Sequence, residues 1–157
     1  MEVKIKSATI SDLKDVQKLN LMLFEKEREE FDNTLDCEWP FSKDGENYFR
    51  EHITEESGCV LIACIDDMVI GYLAGGLKEK DSFRIMPNFA ELENMFVLDK
   101  YRNMGIGTKL YRAFIDWCKS KGVGKLCVIA SAENSDGINF YRKNGFIDYH
   151  LVLEADI

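Results

Sequence analysis

The sequence predicts an α/β fold in which a mixed β-sheet is flanked by helices on both faces, in the order βααβββαβαβ. Three observations predict it. Segments whose apolar residues alternate are interleaved with segments whose apolar residues recur every three or four positions, the pattern of sheet and helix layered on one core. A glycine-rich turn, Arg102-Asn103-Met104-Gly105-Ile106-Gly107-Thr108, joins a strand to a helix with almost no linker. Finally, 157 residues, 46% hydrophobic and 31% charged, suit one domain with a sizeable core, so residues 1–157 are expected to form a single domain.

Val3 and Ile5 alternate with Glu2, Lys4 and Lys6, which predicts a first strand over residues 2–8. Thr9 or Ser11 can cap the following helix, with Asp12 favourable in its first turn. Leu13, Val16, Leu19, Leu23 and Phe24 form that helix's apolar face, and Glu25 to Glu30 read as a solvated end. The stretch from Phe31 to Pro40 is irregular, Trp39 being held extended by the proline after it. Tyr48, Phe49, His52 and Ile53 predict a second helix over residues 44–56. Two apolar runs, residues 59–65 and 68–76, flank Asp66-Asp67 and predict a hairpin covered on both faces. Residues 78–90, with Pro87, form a loop. Leu92, Asn94 and Phe96 then alternate with Glu93, Met95 and Val97, a central strand ending near Val97 or Leu98.

Beyond the turn, Ile106, Leu110, Ala113, Phe114 and Trp117 have helical spacing. Gly122 and Gly124 precede a buried strand over residues 125–130, Asn134 to Asp136 can start a further helix, and Asn144-Gly145 stops it. Phe146 to Leu153 reads as a final strand.

The turn carries the first functional signal. Glycines at 105 and 107 let the backbone fold tightly and approach a bound group, and the first N–H groups of the helix lack intrahelical acceptors. Those donors and the helix dipole favour an anion such as a pyrophosphate, and Arg102 adds a positive charge. Tight packing alone would also explain two glycines. A dinucleotide fingerprint lacks its third glycine, and a Walker A loop would need Gly-Lys-Ser/Thr where Thr108 precedes Lys109.

The pattern R-x-x-G-x-G-T after a strand ending in Val97 resembles the acetyl-CoA motif of the GCN5-related N-acetyltransferase (GNAT) family. A second stretch, Asn134 and then Gly137-Ile138-Asn139-Phe140-Tyr141-Arg142-Lys143-Asn144-Gly145-Phe146, is similar to that family's N…A-x-x-F-Y-x-x-x-G-F, with Gly137 where alanine is common. The resemblance implies an enzyme that moves an acetyl group from acetyl-CoA to a primary amine of a small molecule or peptide, without a covalent intermediate. It implies a coenzyme site made of Phe96, Val97, Arg102, Asn103, Met104, Gly105, Ile106, Gly107, Thr108, Asn134 and Tyr141, a splay between the strands ending near Val97 and Ala130, and Tyr141 as acid for the departing sulfur. A homodimer through edge strands is common among such proteins.

Acetyl transfer also needs a base for the amine. Glu91 and Glu93, two apart on one strand, share a face and are both candidates, with water as a third. Phe31, Trp39 and Phe41 are candidate walls for the acceptor, or core plugs. A non-catalytic acyl-CoA binding or sensing module is the alternative reading, and a nucleotide-binding oxidoreductase is disfavoured by the incomplete fingerprint.

Composition limits the partners. A formal net charge of −8 argues against nucleic acid. No run approaches a membrane span, and the start lacks the apolar core of a signal peptide, so no membrane and a cytosolic location are expected. Five cysteines without a C-x-x-C pair argue against a disulfide framework, and with two well-separated histidines no metal is expected.

Overall fold

A computed structural model describes residues 1–157. β1 (Val3–Ser7) leads through a short turn into α1 (Leu13–Glu30), and α2 (Lys43–Thr54) follows an irregular connection. The hairpin β2 (Gly58–Ile65) and β3 (Met68–Lys78) comes next, then β4 (Phe89–Val97), α3 (Ile106–Ser120), β5 (Lys125–Val128) and α4 (Ser135–Lys143). The strands lie in the order β1-β2-β3-β4-β5. Only the β4–β5 pairing is parallel.

Two apolar layers hold helices to the sheet. On one face Leu61, Ala63, Leu73, Ala90 and Leu92 pack with Leu110 and Phe114 of α3. On the other, Val60, Ile62, Tyr72 and Phe96 pack with Leu13, Val16 and Leu19 of α1 and Phe49 of α2. The mixed sheet with helices on both faces is therefore as the sequence predicts. The hairpin also forms as expected, its two-residue turn closing with Asp66 at φ 51°. Ser42 starts α2, its hydroxyl accepting the Gly45 N–H at 3.1 Å.

Trp39, expected to be extended before Pro40, instead opens a short 3-10 turn, Trp39–Phe41, and three expectations about the strands also need correction. The final strand is absent: residues 146–157 form no sheet pairing, and Ile147, Tyr149, Leu151, Val152 and Leu153 are exposed. Alternation alone cannot supply a partner for a strand's hydrogen bonds, and β5 pairs with β4 alone, no segment of the chain lying along its other edge. For the same reason the fifth strand is shorter and less buried than expected. It stops at Val128, and Ile129 is exposed.

The third correction concerns β4, whose alternation is not strict. Ala74 pairs with Asn94 and Gly75 with Leu92, so Glu93 is an extra residue without a partner, a β-bulge. Ala90 and Leu92 pack toward α3, whereas Phe96, which a strict period of two would put with them, packs toward α1 and α2. The bulge changes the phase of the strand at one of the two predicted glutamates.

Candidate active site

Two features of the backbone build an anion cradle at the start of α3. Asn103 and Gly105 adopt left-handed conformations, φ 59° and 77°, which turn the chain sharply out of the strand connection. No side chain caps the helix, and the first bond into its body runs from the Lys109 N–H to the Gly105 carbonyl. The amides of Ile106, Gly107 and Thr108 are thus left for an outside acceptor. A β-carbon at position 105 would meet nothing within 4 Å, and one at 107 would meet only the Met95 methyl at 4.0 Å. The cradle opens on unfilled space, which fits a phosphate group approaching the backbone.

Arg102 does not point its charge there. Its Nε donates to the Val97 carbonyl at 2.9 Å, Nη2 lies 3.0 Å from Asp99, and the guanidinium stacks 5.0 Å from the centre of the Phe96 ring. Its side chain braces the end of β4, while its backbone enters the turn. Ile106 is buried in the core beneath the turn, whereas Asn103 and Met104 are exposed on it.

The sheet opens beside this cradle. Parallel pairing of β4 with β5 ends at Leu92 and Val128, although β4 continues to Val97. Leu98 donates its N–H to Ile70 of β3. Because amides alternate along a strand, the Val97 N–H faces the other way, into the gap. The gap is the splay expected between the two strands, one side of it lined by free backbone of β4.

On the α2 face of β4 the bulged Glu93 meets two polar side chains of α2. Its Oε2 accepts from the Tyr48 hydroxyl at 3.1 Å and lies 2.6 Å from His52 Nε2. Asn94 Nδ2 donates to the Tyr48 hydroxyl at 3.0 Å. His52 Nδ1 lies 2.8 Å from the Tyr48 carbonyl, which can only accept, so this nitrogen carries a proton. Asn94 Oδ1 is buried without a partner.

The close approach of α2 to the sheet depends on Gly58, where a β-carbon would come within 2.5 Å of the His52 backbone. Burial pushes the pKa of His52 down, but the Glu93 hydrogen bond, the Glu93 charge and the Tyr48 carbonyl outweigh it, and the net shift is upward. Burial, and next the Glu93 charge, also raise that of Tyr48, so its phenol stays protonated.

Tyr141, on α4, packs its ring against Phe140 and Phe146 at centroid distances of 5.4 and 5.5 Å. Burial first, then the charge of Glu27, pushes its pKa up to about 12. Asn134 caps α4, its Oδ1 accepting the Gly137 N–H at 3.0 Å. A β-carbon at 137 would lie 2.7 Å from Asn134 Nδ2, the movable end of that side chain.

A family model, "Acetyltransferase (GNAT) family", matches residues 21–146. The chain belongs to this acetyltransferase family. It is 25% identical over 150 residues to an N-alpha-acetyltransferase of Sulfurisphaera tokodaii, covering 92% of this chain and 80% of that protein. It is 23% identical over 147 residues to the L-amino acid N-acetyltransferase AaaT of Escherichia coli, covering 92% and 83%. Among solved structures it is similar to the aminoglycoside N-acetyltransferase AAC(6')-Iy in complex with CoA, with a TM-score of 0.78 and 18% identity over 99% of this chain and 95% of that one. At that identity the likeness is one of fold.

Within this GNAT chain the two strand glutamates have different surroundings. Glu91 is buried, 7% exposed, and its carboxylate pairs with Lys78 Nζ at 2.9 Å, beside Cys127. Glu93 instead joins the cluster with α2. Trp39, a candidate acceptor wall, stacks on Phe24 at 5.6 Å and meets Tyr48 and Phe49 edge-on, so it fills the second core. Phe31 is half-buried and Phe41 half-exposed.

Glu27 belongs to a run read from sequence as a solvated end, yet burial, and then Asp32, raise its pKa. Tyr48, His52 and Asn94 were not read from sequence as site residues. The available signal was Tyr48 and His52 four apart on one helix, hence on one face. No group of three or more His, Cys, Asp or Glu side chains is arranged to hold a metal, and no helix is long and apolar enough to cross a membrane.

Proposed function

We propose that residues 1–157 form one N-acetyltransferase domain that moves an acetyl group from acetyl-CoA to a primary amine of a small molecule or peptide, by direct attack in a ternary complex. The observation that carries this reading is the uncapped N-terminus of α3 beside the opening between β4 and β5. The amides at 106–108 would hold the pyrophosphate, with Asn103, Met104 and Thr108 at the rim. Asn134 would add a hydrogen bond from α4. Bound acetyl-CoA supplies the activated thioester. The Val97 N–H would orient the carbonyl and stabilise its developing negative charge.

Glu93 is the better placed of the two candidate bases, since Glu91 is tied to Lys78. With Oε2 shared by Tyr48 and His52, Glu93 has Oε1 for the amine. Tyr141 would donate to the departing sulfur, its raised pKa keeping it protonated at neutral pH. Tyr141→Phe is expected to lower kcat about 10- to 100-fold while leaving acetyl-CoA affinity in place. Steady-state kinetics beside a binding isotherm checks this, and equal losses in both would mean that Tyr141 acts by packing.

Names carried by the relatives make three acceptor classes the first to test: peptide N-termini, L-amino acids and aminoglycosides. The formal charge of −8 suits cationic acceptors. We assign the protein to the cytosol, supported by five unpaired cysteines. As a partner we propose a second copy. The alternating apolar residues of 147–153 and the outer edge of β5 both lack partners within one chain. Light scattering is expected to give twice the chain mass of 18.1 kDa, and a monomer at micromolar concentration would exclude this pairing.

The deciding experiment is calorimetric titration with acetyl-CoA, coenzyme A and NAD. Saturable binding of acetyl-CoA without NAD binding, followed by turnover of an amine, supports the enzyme. Binding with no turnover on any acceptor would leave the acyl-CoA sensing module in its place.

A further inference from the structure

His52 is a polar side chain that neither the coenzyme turn nor the apolar core accounts for. It sits near the end of α2, partly buried, with both ring nitrogens engaged. Nδ1 faces a carbonyl and must carry a hydrogen. The 2.6 Å contact between Nε2 and Glu93 Oε2 then needs one further proton, on either the ring or the carboxyl. With neither protonated, two acceptors would face each other at hydrogen-bond distance.

We infer that His52 and Glu93 share a single proton and act as one proton-accepting unit for the amine, with His52 as the positioning residue that sets its charge. This rests on the acetyl-transfer reading of the site. Three observations support it. The bulge presents Glu93 toward α2, Gly58 lets α2 come close enough, and Tyr48 fixes the remaining bonds of Oε2 and Nδ1. The ionisable groups about His52 are Glu93 from β4 with Glu51 and Tyr48 from its own helix, and β2 meets it through the backbone of Gly58.

An arriving ammonium gives one proton to the deprotonated pair, which becomes imidazolium and carboxylate and later releases that proton to solvent. The neutral amine forms the N–C bond as the C–S bond breaks, and its second proton neutralises the thiolate through Tyr141. One amide, one thiol and one proton result. The pair must therefore be deprotonated at the start of each turnover, and kcat should rise with pH through its titration.

The stability consequence has the opposite sign. The pKa of His52 in the fold lies above the ordinary value of about 6.5. The stabilisation from the pair is full below that ordinary value and is lost as pH rises through the raised one.

The chain has two histidines, so ring nitrogen NMR resolves both, with exposed His150 as internal reference. In the wild type His52 is expected to hold two ring protons at neutral pH and to titrate above the ordinary imidazole value, and Glu93→Gln should lower its midpoint. A His52 that titrates at or below the ordinary imidazole value, or one indifferent to Glu93→Gln, would overturn the shared proton. The second arm follows kcat against pH with acetyl-CoA and three acceptors: sisomicin, a peptide with a free N-terminus and an L-amino acid. His52→Gln is expected to displace the rising limb while acetyl-CoA affinity stays, and a rate loss with the limb in place would reduce His52 to packing. Coupled titration in a protein that acetylates none of the three overturns the pair's part in transfer and the enzyme reading with it, while the shared proton stands.

Discussion

Gly107→Asp is expected to weaken acetyl-CoA binding by a hundredfold or more without harming the fold. The two effects separate because of where the residue lies. It is the second residue of α3, in an ordinary helical conformation, and a β-carbon there meets only a methyl group at 4.0 Å. A carboxylate in the first turn of a helix is itself favourable, by about 0.3–1 kcal/mol. Thermal unfolding should therefore be unchanged or slightly improved. The pyrophosphate, however, would meet a fixed negative charge in the cradle built for it. Two unit charges about 4 Å apart repel by about 4 kcal/mol at an effective dielectric of about 20, against about 1.4 kcal/mol per tenfold in affinity. Calorimetry on the folded variant checks it. Wild-type affinity would remove the turn from the coenzyme site.

Glu93→Gln should lower kcat by about 10²–10⁴-fold, the range for loss of a positioned general base, with acetyl-CoA affinity retained. The amide keeps the size of the carboxyl and can still accept from Tyr48, so little repacking is expected. What it loses is the capacity to take a proton and to hold the second hydrogen of His52. Glu91→Gln provides the contrast. It breaks the contact with Lys78, whose half-exposed ammonium stays in water, so stability should fall only slightly and turnover should be largely kept. If the glutamine at 91, in a folded protein, lost turnover as completely as the one at 93, the base would have to be reassigned. Kinetics and unfolding of both variants, measured side by side, decide between them.

What could be read in the sequence was local. Helical and strand periods placed most elements within a few residues, because side-chain direction repeats with the backbone geometry of each. The coenzyme turn was legible for a related reason. Its requirements, glycines that permit left-handed or close-packed backbone and a helix opening on free amides, lie within a few consecutive residues. Its open side, and the diversion of Arg102 to Val97, Asp99 and Phe96, were not.

The tertiary structure alone decided the rest, since each decision depended on a partner distant in the chain. Residues 146–153 have the alternation of a strand, but a strand exists only against an edge, and none in the chain receives them. Glu91 and Glu93 look alike in sequence. One faces Lys78 and the other a histidine and a tyrosine from a helix some forty residues earlier, and the bulge between Leu92 and Asn94 separates their environments. The family, the layered sheet and the backbone cradle are all written in short-range pattern. Only packing decided which carboxylate has an imidazole beside it, because that contact is made where α2 closes on the sheet.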